Sequence, residues 1–393
     1  MVDPVSGVAL DDGLAIWFPG PASFTGEDVA EFHVHGGRAT IEAVCAALGR
    51  LVVPGNRLRL AEAGEFSRRA FDNGKLDLTA IEGLSDLVAA ETEAQRRQAL
   101  RQLDGALGVQ IEKWRTQLLS ALARVEAAID FPDEDLPEHL VSETDHNILG
   151  LLAEISQIID DDRRGERVRD GLSIAIIGAP NVGKSSLLNV LARRDAAIVS
   201  DTAGTTRDVV EVRLDLGGYP VTLADTAGLR ETSDFVEQEG VRRALSRAEA
   251  ADLTLVVFDG TAAAVDEASM AQLGPNCLAV INKIDLGDAG FSIAGAIPIS
   301  AQAIENIDVL VAEIERRVVA LMDVAGPAPL TRARHRAALV DCAAALDRAV
   351  AEPGVDLKAE DLRLAVVSLG RITGRVDIED VLDVIFSEFC IGK

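Results

Sequence analysis

Apolar residues fall along the chain in three textures. Residues 1–75 mix short apolar runs with turn residues, among them Pro19-Gly20-Pro21, Gly36-Gly37 and Pro54-Gly55, which predicts a small α+β segment. It opens almost directly into a strand-like run, Leu14–Phe18. This segment is therefore expected to be truncated, without the first strands of such a domain. Residues 76–168 are helical in pattern. Leu100, Leu103, Leu107, Ile111, Trp114, Leu118, Leu122, Val125 and Ile129 recur with a mean step of about 3.6, the period of a straight globular helix rather than a supercoil. Gly105 and Gly108 each cost about 1 kcal/mol against Ala there, so a local kink is expected. Trp114 lies on the apolar stripe and reads as core. The run ends at Phe131-Pro132, and Ile148–Ile159 starts a second helix.

From 169 to 325 the pattern alternates. Ser173–Ile177, Val221–Ala224, Leu253–Phe258, Cys277–Ile281 and Ala296–Ile299 are strand-like, each followed by turn residues and a helical stretch. That predicts a parallel α/β domain. Helical texture returns over 326–393, after Pro327 and Pro329, with Leu339, Val340, Ala343, Leu346 and later Val381, Leu382, Ile385 and Phe386. The economical arrangement is an α/β domain inserted into a discontinuous helical domain (76–168 and 326–393), behind the α+β segment.

Composition narrows the function. Lys and Arg number 38 against 64 Asp and Glu, a net charge of −26. A broad basic surface for nucleic acid is excluded, and any RNA contact must be local or shared with a partner. The apolar fraction of 48% excludes wholesale disorder. No apolar run approaches the ~18 residues of a membrane helix, and Met1–Val5 carries no basic-then-apolar leader pattern. Cys45, Cys277, Cys342 and Cys390 form no CxxC pair or disulfide framework, so a reducing, cytoplasmic setting is expected.

One motif carries the chemistry. Gly178-Ala-Pro-Asn181-Val182-Gly183-Lys184-Ser185-Ser186 satisfies the phosphate-loop pattern directly after a predicted strand. Its glycines let backbone N–H groups wrap phosphates, Lys184 supplies a point charge, and the Ser185 hydroxyl suits Mg²⁺. Asp225-Thr226-Ala227-Gly228 follows another strand, as a metal-side aspartate and γ-phosphate sensor should. Asn282-Lys283-Ile284-Asp285 ends a third, and its Asp carboxylate can accept both N1–H and the 2-amino group of guanine. Adenine lacks that amino group and would leave a buried acceptor short. Ser300-Ala301 completes the base pocket. The ordered set resembles the translation-factor-like class of GTPases.

Where Ras-type GTPases place a water-orienting Gln after the switch glycine, this chain has Leu229. Arg230, Glu231 and Glu237 are the nearby candidates to replace it. Asn181, with the downstream Ser200-Asp201-Thr202-Ala203-Gly204-Thr205-Thr206, could instead seat a monovalent cation beside the β–γ bridge. Thr206 would be the switch threonine on Mg²⁺. The plainer alternative is that Asn181 only shapes its loop.

The flanks identify the family. Phe24–Glu31, His35-Gly36-Gly37, Ala63–Phe71, Asn73–Asp77, Ile129–Glu134, Asp201–Asp208, Asp225–Arg230 and Phe389-Cys390-Ile391-Gly392-Lys393 closely resemble the tRNA-modification GTPases of the MnmE (TrmE) family. The resemblance spans the whole chain and implies a folate-binding, dimerising N-terminal domain, a helical domain and an inserted Ras-like G domain. It implies a homodimer working with the flavoprotein MnmG (GidA), which holds FAD, to place an aminomethyl or carboxymethylaminomethyl group on C5 of the wobble uridine U34 of tRNA. A 5-formyltetrahydrofolate-type folate is the implied one-carbon donor. GTP hydrolysis would accompany G-domain dimerisation and be promoted by K⁺. On this basis Glu237 is the water-orienting residue. Asn181, Ser200, Thr202 and Thr205 are the K⁺ ligands, Ser185 and Thr206 those of Mg²⁺, and Glu31, Lys75 and Lys393 contact folate. The family's opening segment, with an arginine that meets the folate, is expected to be missing here.

Other residues have plainer readings. Cys390 could be a nucleophile or redox partner, and a free Cys is also simply a small apolar residue. His33 and His35 would share a strand face, with structural packing favoured over metal binding. Arg332, Arg334, His335 and Arg336 form a basic cluster better read as a solvated or ion-paired helix face than as a phosphate contact. A ribosome-assembly-type GTPase and a GTP-gated scaffold without folate chemistry remain the alternatives.

Overall fold

The structure is a computed structural model that describes residues 1–53, 56–130, 139–161, 163–193, 211–225, 251–287, 290–322, 330–376 and 385. In chain order its elements begin with β1 (Leu14–Phe18), β2 (Val29–His33), α1 (Arg38–Gly49), β3 (Val52–Val53) and β4 (Asn56–Arg57). There follow α2 (Glu65–Asp72), α3 (Leu78–Ala89), α4 (Glu93–Leu103), α5 (Ala106–Asp130), α6 (His139–Ile159) and α7 (Arg164–Asp170). The α/β region supplies β5 (Leu172–Ile177), α8 (Lys184–Ala192), β6 (Glu211–Leu216), β7 (Tyr219–Asp225), β8 (Leu253–Asp259) and α9 (Glu267–Met270). It continues through β9 (Cys277–Asn282), β10 (Ile297–Pro298) and α10 (Ile307–Met322), followed by α11 (Ala333–Ala351) and α12 (Val355–Thr373).

Two compact units result: Met1–Ser85 with Gln102–Pro137 and Glu352–Lys393, and Asp86–Arg101 with Glu138–Ala351. In the first, β1 and β2 pair antiparallel with Leu14 opposite His33. Helices α5 and α12 run antiparallel, latched by Glu126 with Arg363 at 2.9 Å and Glu112 with Arg375 at 2.7 Å. On α5, Leu107, Ile111, Trp114, Leu118 and Val125 are each at most 2% exposed.

The predicted stripe from Leu100 to Ile129 is two helices, not one kinked helix. The chain leaves α4 at Leu103, and Gly105 takes φ +84°, a left-handed turn that Gly adopts without a Cβ clash. Gly108 lies inside α5 and is glycine for a different reason: a Cβ there would collide with the Asp77 carboxylate. That carboxylate caps α3, accepting from Ala80 N–H at 2.8 Å.

The second unit is built on a six-stranded sheet ordered β10-β9-β8-β5-β7-β6. The expected strands are present, but the sheet is not wholly parallel, because β6 pairs antiparallel to β7. Its Glu-Val-Arg-Leu-Asp-Leu run alternates, as suits an edge strand covered on one face. β5 and β8 are buried on both faces and read as continuous apolar runs. Residues such as Ile174, Leu255 and Val257 meet α8 and α10 through Leu187, Leu191, Leu310 and Ile314 on one side. Ile177, Val256 and Phe258 face the other. From β5 the strand order runs outward both ways, so the carboxyl ends of β5 and β8 form the switch point where α/β sheets bind ligands. Among the described residues no helix is long and apolar enough to cross a membrane.

Candidate nucleotide site

The site begins where β5 ends. Gly178 takes φ +147°, Asn181 +60° and Gly183 +97°. Left-handed residues within a loop are the means by which backbone N–H groups are turned toward a bound anion. Neither glycine has room for a side chain: a Cβ on Gly178 would strike the Val257 carbonyl of β8, and one on Gly183 the Asn282 amide. Asn tolerates the left-handed region better than most residues, and Asn181 is exposed on the loop. α8 starts at Lys184, adding the free N–H groups of its first turn. The Lys184 ammonium donates to the carbonyls of Gly178 at 2.9 Å and Ala179 at 2.8 Å, which holds it over the loop. Ser185 and Ser186 follow, both exposed. The cradle thus offers amides, one cation and hydroxyls, and it fits a polyphosphate with a hard divalent cation.

The base side is assembled by Asn282, which is 2% exposed. Its Nδ2 donates to the Val182 carbonyl at 2.8 Å and its Oδ1 accepts from Ala301 N–H at 3.0 Å. One carboxamide therefore ties the phosphate loop to the Ser300-Ala301 turn. The buried Ser300 hydroxyl accepts from Ala303 N–H at 2.9 Å. Lys283 lies in the left-handed region at φ +69°, and Asp285 stands exposed in the single turn Ile284–Leu286. Sequence reasoning missed Asp259, whose Oδ2 lies 2.6 Å from Lys283 Nζ. The signal available was its place at the end of an apolar strand, before Gly260-Thr261.

Phosphate-loop and base-side residues expected from the sequence are thus brought together. Asp225 ends β7 with its backbone opposite Ile176. Ser200–Thr206, Thr226–Gly228, Glu237, Cys390 and Lys393 lie outside the described residues. In the N-terminal segment, Glu31 is exposed on β2, 3.3 Å from His33 Nε2. The Lys75 ammonium donates to the Pro21 carbonyl at 2.8 Å.

The plainer readings resolve as follows. Trp114 is core, at 1% exposed. His33 faces Glu31, and His35 faces Asp11 at 2.8 Å; both imidazoles are exposed rather than packed. Among the described residues no His, Cys, Asp and Glu cluster could hold a metal ion. The basic cluster is ion-paired, with Arg332 on Asp86 at 2.8 Å and Arg336 on Asp161 at 2.7 Å and Glu166 at 2.8 Å.

Comparison with known proteins agrees with this arrangement. Residues 1–75 match the family described as GTP-binding protein TrmE N-terminus, and residues 78–390 match the MnmE helical domain. A tRNA modification GTPase MnmE of Parvibaculum lavamentivorans is 59% identical over all of this chain and 89% of its own length. Proteins of the same name from Rhodospirillum rubrum and Paramagnetospirillum magneticum are 58% and 56% identical, over 98% and 99% of this chain and 85% and 88% of theirs.

Proposed function

The chain belongs to the MnmE (TrmE) family, and from that premise we propose that it is a K⁺-activated, Mg²⁺-dependent GTP hydrolase that modifies tRNA. It acts in the cytoplasm as a homodimer, with a FAD-holding flavoprotein of the MnmG type, on C5 of the wobble uridine. The modification is of the aminomethyl or carboxymethylaminomethyl class, with a 5-formyltetrahydrofolate-type donor contacted by Glu31, Lys75 and Lys393. In this reading 1–75 is the folate segment, 169–325 the G domain, and 76–168 with 326–393 the helical domain between which hydrolysis and modification are coupled.

The observation that carries the reading is the Asn282 brace, which joins a phosphate cradle to a guanine-type turn within one rigid sheet. Backbone amides around Gly178–Gly183 bind the phosphates, and Lys184 adds charge. Asp285 accepts the two guanine N–H groups and excludes adenine. Glu237 orients the attacking water in place of a glutamine, since Leu229 offers no hydrogen bond. Cys390 is the candidate nucleophile or redox group of the modification step. Ser185 and Thr206 would hold Mg²⁺, and Asn181, Ser200, Thr202 and Thr205 would hold K⁺. When bound, these cations neutralise charge developing on the phosphates.

GTP turnover in KCl against NaCl tests the proposal, with Glu237→Ala alongside. Turnover should be faster in KCl, and the variant should keep GTP affinity while losing about 100-fold or more in rate. Equal rates in the two salts overturn the K⁺ assignment, and an unchanged rate in the variant overturns that of Glu237.

A further inference from the structure

Asp259 has no role in the mechanism above, yet it sits at the hinge of the base-side turn. It ends β8 directly opposite Asn282, which ends β9. Beyond that pair the two chains turn together. Gly260 N–H donates to the Asn282 carbonyl at 2.7 Å, and a Cβ on Gly260 would stand 2.8 Å from that oxygen. Glycine is therefore required for the approach.

Lys283 then enters the left-handed region, φ +69°, at a cost of roughly 1–2 kcal/mol for an L-residue with a Cβ. Something must hold it there. Its ammonium lies 2.6 Å from Asp259 Oδ2. Asp259 is fixed in turn, because its Oδ1 accepts from the Thr261 hydroxyl at 2.7 Å and Thr261 N–H at 2.9 Å. Burial pushes this carboxyl's pKa up, but Lys283 and Thr261 outweigh burial and hold it below the usual range. The group is therefore an anion at neutral pH.

We propose that Asp259 is a positioning residue for guanine recognition: its ion pair with Lys283 stabilises the left-handed turn that presents the Asp285 carboxylate to the base. The proposal rests on the base-site reading above. Asp285 is only two residues past Lys283, in the three-residue turn that Lys283 opens. A change in the Lys283 dihedral swings that turn directly. Accepting two N–H groups at once demands a fixed carboxylate plane, so loss of direction weakens guanine more than a purine offering one. The pair is partly open to water, with 28% and 23% of the two side chains exposed. Its contribution is accordingly moderate.

Calorimetric titration of the full chain with GDP and with inosine diphosphate, which lacks the 2-amino group, tests this. Asp259→Asn should weaken GDP about three- to tenfold and shrink the preference for GDP over inosine diphosphate. Lys283→Gln should do the same, the double variant should be no worse than either single one, and Asp259→Glu should restore part of the preference. A role in stability alone would lower Tm and leave the nucleotide preference intact; that result overturns the proposal, as does additivity of the two single variants. Asp285→Asn serves as control. If it keeps the preference for GDP, the base-site reading itself falls. If it loses the preference while Asp259→Asn does not, only the role given to Asp259 falls.

Discussion

β1 and β8 look alike as sequence, Leu-Ala-Ile-Trp-Phe and Leu-Thr-Leu-Val-Val-Phe, yet they live in different surroundings. Every residue of β8 before its terminal Asp is buried, whereas Leu14 is 59% exposed and Trp17 60%. β8 is covered by neighbours on both edges, by helices on one face and by Val265, Leu273 and Phe291 on the other. β1 has one partner strand among the described residues. Apolar character thus reports what a strand can bury, not what it does bury, and the energetic weight of equivalent side chains differs accordingly.

Truncation should separate the two regions most. Leu255→Ala, at 0% exposure, should cost about 2–5 kcal/mol. Trp17→Ala should cost under about 1 kcal/mol despite removing more atoms. Urea unfolding followed by circular dichroism measures both, and equal losses would erase the contrast.

Acid offers a second, smaller separation, because the N-terminal segment holds an open ion network around Glu65. Hydrogen bonds from Glu62 N–H, Arg59 and Arg69 hold this carboxyl at about 2, against an ordinary 4.5. A depressed folded value means the stabilisation is full above about 4.5 and is lost as pH falls through about 2. Exposed arginine partners reduce the effect below its ideal size. Protection of the α2 amides, measured against the unstructured exchange rate at each pH, should therefore fall between pH 4.5 and 2, and Glu65→Gln should flatten that dependence.

Thiol labelling gives the mildest contrast. Among the three described thiols, exposed Cys45 on α1 should react first with maleimide at neutral pH. Cys277 on β9 is half-buried, and its thiol donates to the Gln272 carbonyl at 3.1 Å, so it should be slower. Cys342 should react only on unfolding, because burial pushes its thiol up to about 12. Peptide mapping by mass spectrometry distinguishes the three.

The site was legible to different depths in its parts. Wrapping phosphates with backbone requires glycines, a lysine and a hydroxyl at fixed local spacing, so Gly178–Ser185 announces itself. Asn282 could be read as part of a base-binding run, but not as the brace between Val182 and Ala301, because those partners lie far apart in sequence. Asp259 was invisible for the same reason: its meaning comes from β8 and β9 lying in register. The misread helix break is the local counterpart. Gly105 and Gly108 look equivalent in a stripe, yet one supplies a left-handed turn and the other room for the Asp77 carboxylate.

Sequence alone settled the strands β1, β5, β7, β8 and β9, that a phosphate-loop motif follows β5, and which family the flanks resemble, since these depend on short-range periodicity and contiguous chemistry. Tertiary structure decided the antiparallel edge strand, the splitting of the long helix, which apolar strands are covered, and how Asn282 and Asp259 bind separate loops into one site. Those outcomes turn on contacts between residues distant along the chain, and no local pattern of apolar and polar positions encodes which of many compatible partners will meet.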